Sequence, residues 1–259
     1  GLLEIKLKLV QNNYYCKKRV INILETSKQN SNISSQLIYG EKFKILKYGK
    51  NYFKIKTSYD KYTGYIKPIK KYSKFKATHK VIKLKSNIYI GYEKKIKKKS
   101  KNFLPFGSKL EVLKRNNNFV MFEKNKWLKV TDIVPIKKKV ANYVKIFKLF
   151  LNCPYKWGGK TFKGIDCSAL IQIFYKFNNK FFPRDTIDQI KIKKELNKKK
   201  IFNKGDIIFW RGHVAVCIDS NNLIHAYGPE KKVIIMPILK TIKRIEKTTN
   251  LKVKKIFKI

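Results

Sequence analysis

A chain of 259 residues is long enough to bury a real core, as one large domain or as two to three small ones. With 43% hydrophobic and 14% aromatic residues it is not a disordered chain, and no apolar run reaches the roughly 18 residues a membrane span needs. The formal net charge of +46 comes from lysines scattered along the whole chain, with arginine only at 19, 115, 184, 211 and 244. That pattern reads as drift toward A- and T-rich codons, not as a specific nucleic-acid reader, which keeps arginine for bidentate contacts.

The first segment, "GLLEIKLKLVQNNYYCKKRV", has acidic and basic residues where a leader would have its apolar core. A cytoplasmic location is expected, with a periplasmic or secreted one as the alternative if a leader was removed before Gly1. Four cysteines in such a chain read as reduced thiols.

Residues 37–67 hold short alternating stretches ("FKILKY", "YFKIKT", "YTGYIK") between turn residues, the pattern of a meander of antiparallel strands. The beat returns at 104–134. "YGEKFKIL" and "FGSKLEVL" align as aromatic, Gly, polar, Lys, apolar, polar, apolar, Leu, so one small β-barrel module is read as used twice. The basic run at 92–102 between the copies reads as a solvated loop. From about 138 the texture changes: "VANYVKIFKLFLN" has apolar residues at helical spacing, and helices, loops and strands follow to the end. The expected architecture is multi-domain: two small all-β barrels, at 1–75 and 76–137, then an α+β domain at 138–259.

In "GIDCSALIQIFYKF" Asp166 can cap a helix that opens on Cys167. A thiol in the first turn sees unpaired N–H groups and the positive end of the helix dipole, which favour the thiolate and can bind an oxyanion. A free cysteine alone is more often an inert core residue. Downstream, "GDIIFWRGHVAVCIDSNNLIHAYG" carries two of the three histidines, His213 and His225, on the strands of an expected hairpin. A thiol, a histidine base and a third orienting group make the cysteine version of a catalytic triad. The two histidines share a face only if the hairpin has an odd loop or a bulge. A three-residue loop at Asp219–Asn221 would set His225 opposite Ala215, diagonal to His213. Cys153, Cys167, His213 and His225 lack the paired spacing of a zinc site, so no metal and no cofactor is expected. Cys217 reads as core and His79 as structural.

The segments "PYKWGGKTFKGIDCSALIQIFYKF", "FPRDTIDQ", "KGDIIFWRGHVAVCI" and "IHAYG", in this order, resemble the NlpC family of papain-like bacterial cysteine peptidases over about 150–240. Residues 20–135 resemble paired bacterial SH3 (SH3b) domains. The resemblance implies Cys167 as nucleophile, His213 as general base and His225 as its orienting residue. It further implies that Asp166 accepts the substrate's α-amine and that Tyr62 walls the amine end of the cleft. Ser168, Asp185 and Thr186 would bind the L-Ala–γ-D-Glu portion, Tyr155 would lie near the oxyanion, and Arg184 would support this loop. Ala169 and Ala215 stand where the family usually has glycine; neither removes a reacting group.

The implied reaction is hydrolysis of the bond between γ-D-Glu and meso-diaminopimelate or L-Lys. The implied substrates are murein tri- and tetrapeptides with a free N-terminal L-Ala, and the setting is cell-wall peptide recycling. The alternatives are a secreted hydrolase acting on intact wall, and a non-enzymatic Lys-rich binding protein for polyanions. In every case the charge implies nonspecific, salt-sensitive polyanion binding.

Overall fold

The computed structural model describes residues 13–92, 95, 98–193 and 201–259; the first twelve residues of the expected first domain lie outside that set. The chain is mostly β-sheet with few helices, and it divides into two compact units, Gly1–Lys138 and Lys139–Ile259.

In the first unit, β1 (Asn13–Tyr15), β2 (Val20–Leu24), β3 (Ile33–Ile38), β4 (Lys42–Lys47), β5 (Phe53–Thr57) and β6 (Thr63–Ile66) form one sheet in the order β1-β4-β5-β6-β2-β3. Alternation along these strands buries Ile23, Leu37, Phe43, Ile45, Ile55 and Ile66 together and leaves lysines outside. The next strands are β7 (His79–Val81), β8 (Lys85–Ile90), β9 (Lys98–Pro105), β10 (Lys109–Leu110), β11 (Lys114–Asn116), β12 (Phe119–Glu123), β13 (Lys126–Lys129) and β14 (Ile133–Pro135). They pair as β10-β7-β14 and β11-β12-β13-β8-β9. Among the described residues no ladder closes on itself, so open sheets stand where the sequence reading expects two small barrels.

The repeated motif folds alike in both copies. Gly40 (φ 82°) and Gly107 (φ 79°) take the same left-handed turn. The Gly40 N–H donates to the Cys16 carbonyl and the Gly107 N–H to the Val81 carbonyl, at 2.7 and 2.9 Å. The copies are not independent bodies. Tyr39 buries its ring in the second core, against Phe122, and its hydroxyl donates to Glu123 at 2.6 Å. The basic run is also not simply a loop. Lys98–Pro105 is strand β9, with Lys98 opposite Ile90 and Lys99 opposite Tyr89; residues 93, 94, 96 and 97 lie outside the described set. Its end is anchored by the buried Phe103 and Leu104, while backbone pairing to β8 holds the Lys98–Asn102 part, whose lysines suit the sheet edge it occupies.

The second unit starts with the helix Tyr143–Leu149, capped by Asn142, whose side chain accepts the Lys145 N–H. A small hairpin of β15 (Lys160–Thr161) and β16 (Gly164–Ile165) leads into the helix Cys167–Phe177. A short helix, Thr186–Gln189, follows. The five-stranded antiparallel sheet comprises β17 (Asp206–Trp210), β18 (His213–Cys217), β19 (Asn222–Tyr227), β20 (Lys232–Pro237) and β21 (Lys255–Lys258), in the order β20-β19-β18-β17-β21. One face carries Ile208, Trp210, Ala215, Cys217, Leu223 and Tyr227, packed with Ile238 and Ile245 of the helix Ile238–Thr249. The helix Cys167–Phe177, buried at every position but Lys176, packs on β18 and β19. Each such fully buried apolar side chain contributes about 1.5–3 kcal/mol, so the sheet is a rigid platform for whatever its strand ends carry.

Candidate active site

The loop before Cys167 is shaped by glycine. A Cβ at Gly159 would lie 2.2 Å from the Gly164 carbonyl oxygen, so only glycine lets the two arms of "GGKTFKG" approach so closely. That approach delivers Asp166 to the helix N-terminus, where its carboxylate accepts the Ala169 N–H at 2.9 Å. Cys167 is the next residue. It is buried, and the backbone N–H groups of Ser168 and Val214 hydrogen-bond its sulfur. Val214 follows His213, so the thiol sits against the start of β18.

The pairing of β18 with β19 runs over Val216↔Ile224 and Cys217↔Leu223. The loop at the tip is tied by the Ile218 N–H to the Asn222 carbonyl, at 2.9 Å, and Asp219 accepts the N–H groups of Asn221 and Asn222. Continued along the strands, this register sets position 225 against 215, so both histidines fall on one face. His213 Nε2 and His225 Nδ1 are 2.9 Å apart. His225 is fully buried and stacks on Tyr227, with ring centroids 4.5 Å apart and planes 10° from parallel; His213 is partly exposed and leans on Trp210.

Burial dominates the electrostatics of the three groups. It pushes the Cys167 thiol up to about 12, aided by the Asp166 charge and opposed by the Val214 and Ser168 amides and by Arg184. It holds His213 down to about 4, and His225 well below the usual histidine range, with the His213 and Arg244 charges adding to the fall. Burial thus works against the low-pKa thiolate that the helix dipole favours: desolvation of the charged forms outweighs the dipole and favours a neutral thiol beside neutral imidazoles. Iodoacetamide modification of Cys167 is accordingly expected to accelerate continuously into alkaline pH, while Cys217, inert in the core of β18, reacts only on unfolding. A rate plateau reached near neutrality, read by mass spectrometry of the labelled peptides, would show a preformed ion pair instead.

Asp166 has a second set of partners. Arg184 donates to both of its oxygens, Nη1 to Oδ1 at 3.0 Å and Nη2 to Oδ2 at 2.6 Å. Gly158 N–H donates to Oδ2 at 2.9 Å and the Ser168 hydroxyl to Oδ1 at 3.1 Å. With the cap bond this fills the roughly four lone-pair sites of a carboxylate. An incoming ammonium would share this carboxylate with a bidentate guanidinium. Ser168 also accepts from Arg184 Nη1 at 2.8 Å. The Gln189 amide donates to the Ser168 and Pro183 carbonyls, both at 2.9 Å, and ties the short helix Thr186–Gln189 to the helix that carries Cys167.

Asp185 stands at the N-cap position of that short helix and Thr186 opens it, both partly exposed. Tyr155 is partly buried, with its ring against Gly228. Burial keeps its hydroxyl in the neutral form. Tyr62 belongs to the first unit, just before β6. Its N–H donates to Thr57 Oγ1 at 2.9 Å, its hydroxyl to the Ser34 carbonyl at 3.5 Å, and its ring packs against the first core. His79 lies in β7, bonded to Thr78 and Arg115. Among the described residues no group of three His, Cys, Asp or Glu side chains could hold a metal ion. Gln189 and Met236, whose sulfur contacts His225, carried no role in the sequence reading. Gln189 was within reach of it as part of "FPRDTIDQ", whereas Met236 sits in an apolar strand with no mark of its own.

Residues 152–249 match the NlpC/P60 family. A gamma-D-glutamyl-L-lysine dipeptidyl-peptidase of Bacillus cereus is 35% identical over 99 residues, covering 35% of this chain and 29% of the relative. Dipeptidyl-peptidase 6 of Lysinibacillus sphaericus is 36% identical over 87 residues, covering 33% of this chain and 31% of its own length. The matched stretch thus spans under a third of either relative. A crystal structure of an NlpC/P60 family protein from Bacillus cereus superposes with a TM-score of 0.75 at 18% identity, over 87% of this chain and 94% of that one, so the fold is shared across both units.

Proposed function

We propose that this chain, which carries an NlpC/P60 domain at residues 152–249, is a cysteine peptidase that hydrolyses the γ-D-glutamyl–diamino acid bond of murein peptides. The observation that carries the reading is the thiol at a helix N-terminus against the strand start that bears a His213–His225 hydrogen bond of 2.9 Å. His213 bonds His225 through Nε2, which leaves Nδ1 to take the Cys167 proton as the sulfur attacks the γ-carbonyl carbon. Of the first N–H groups of the helix, that of Ala169 is taken by the Asp166 carboxylate and that of Ser168 faces the sulfur, so the Cys167 N–H is the one assigned to the developing oxyanion. The protonated His213 then gives its proton to the departing amine, and water releases the L-Ala–γ-D-Glu acyl group from sulfur. The two N-terminal modules are SH3b-like domains in this reading, at 1–75 and 76–137, and the catalytic domain runs from 138. Free murein peptides in wall recycling are the substrates, and a cytoplasmic site of action goes with that role.

The names of the relatives support the choice of bond. Incubation with L-Ala–γ-D-Glu–L-Lys and with the meso-diaminopimelate analogue, followed by mass analysis, tests it. The expected products are L-Ala–γ-D-Glu and the free diamino acid; intact peptide, or a cut at the L-Ala bond, would overturn it. An N-acetylated arm measures the need for the free amine. The assignment of Tyr62 to the amine end rests on sequence resemblance, and an unchanged ratio of kcat/KM on free and acetylated peptide in Tyr62→Ala would remove it.

A further inference from the structure

We propose that Met236 is a positioning residue that sets which nitrogen of His213 is free to act as the base; the proposal rests on the catalytic reading above. His225 Nε2 lies 3.3 Å from Met236 Sδ, and His225 Nδ1 lies 2.9 Å from His213 Nε2. A thioether sulfur accepts and cannot donate. The contact with Met236 therefore places the His225 proton on Nε2. A neutral imidazole carries one N–H, so His225 Nδ1 is an acceptor. His213 Nε2 must then be the donor, and the remaining nitrogen, His213 Nδ1, keeps its lone pair. That lone pair is what a base needs to take the thiol proton. The opposite chain of tautomers would put a proton on His213 Nδ1 and stop the reaction at its first step.

The fold holds this acceptor in place. In the β19–β20 register His225 faces Ile234 and Leu223 faces Met236, so Met236 is the diagonal neighbour of His225 on the same face of the sheet. Pro237 ends β20 directly after Met236, and the helix Ile238–Thr249 follows. Met236 also packs against the apolar cluster that includes Tyr227, which offers its ring face to His225. The flexible thioether can thus reach the ring edge while its methyl stays in the core. Both imidazoles are neutral in the site, so the single N–H on each ring is what has to be placed.

Met236→Leu keeps the volume and removes the acceptor, so the fold is expected to survive. The Nε2–H of His225 then has no partner at this contact, and the tautomer preference weakens. We expect kcat on L-Ala–γ-D-Glu–L-Lys to fall about 3- to 10-fold with KM unchanged, and Met236→Gln, whose amide oxygen can accept, to recover most of the loss. The decisive readout needs no substrate: two-bond 1H–15N correlation of 15N-histidine-labelled protein. The expected spectrum shows Nε2–H on both His213 and His225 in the unmutated chain and mixed tautomers in Met236→Leu. An Nδ1–H signal from His225 in the unmutated chain, or unchanged tautomers and unchanged kcat in Met236→Leu, would overturn the proposal. A chain that shows the expected tautomers yet cuts no murein peptide would instead overturn the assigned substrate and leave the Met236 relay standing.

Discussion

Cys167→Ala is expected to lower kcat on L-Ala–γ-D-Glu–L-Lys by roughly 10^4- to 10^6-fold, and His213→Ala to bring it to the same floor. The two act as one unit: the thiol is neutral at rest, so it attacks only if His213 takes its proton, and a base without a nucleophile does nothing. The double variant should therefore be no worse than either single one. His225→Ala should cost roughly ten- to a hundredfold less, since an orienting group can be lost while the reacting pair remains. The same pair fixes the acid limb of the pH profile. Burial holds His213 down to about 4, and the base must be unprotonated to work, so kcat/KM of the free enzyme should persist below pH 6 and fall as pH drops through about 4. Single-turnover kinetics on the purified variants check the first point, and a kcat/KM titration the second. Residual turnover in Cys167→Ala within tenfold of the unmutated chain would sink the nucleophile assignment. An acid limb near pH 6.5 would mean that the imidazole is far better solvated than its packing against Trp210 and Tyr227 implies.

What the sequence discloses of this site is local or periodic. Parity along a hairpin is enough to ask for an odd loop between His213 and His225, because side chains alternate with period two, and the loop at 219–221 has three residues. Asp166 before an apolar run is a cap signal that needs no tertiary knowledge. Twin glycines in "YGEK" and "FGSK" announce twin left-handed turns for the same reason. The long-range terms are the ones that escape. The dipole at Cys167 is visible in the sequence, but the desolvation that outweighs it depends on β18 closing over the sulfur. The lysine-rich part of strand Lys98–Pro105, up to Asn102, has no alternation to read; pairing to β8 and the buried Phe103 and Leu104 beyond it make it a strand. Arg184 is eighteen positions from Asp166, and nothing in the spacing says that the two meet through both carboxylate oxygens.

That last meeting changes what Asp166→Asn should do. On the sequence reading the substitution weakens recognition of the substrate's amine without removing the thiol. In the structure the Arg184 side chain is 2% exposed and the Asp166 side chain 8%, so the pair is cut off from water. Removing the negative partner leaves a buried guanidinium uncompensated, at a cost of about 3–5 kcal/mol. The amide brings a second penalty, because one of the two oxygens becomes an NH2 group facing donors, either Arg184 Nη1, the Ser168 hydroxyl and the Ala169 N–H on one side or the Gly158 N–H and Arg184 Nη2 on the other. Asp166→Asn should therefore unfold at much lower urea than the unmutated chain. Adding Arg184→Met, which removes the stranded charge and keeps an unbranched stem, should restore part of the loss, so the double variant is expected to be more stable than Asp166→Asn alone. Urea titrations of the three variants decide the structural claim, and kcat/KM on free and N-acetylated tripeptide, measured well below each midpoint, decides the recognition claim. If Asp166→Asn keeps the unmutated midpoint while its preference for the free amine collapses, Asp166 is an amine acceptor that Arg184 releases to substrate, and the ion pair has no part in holding the fold.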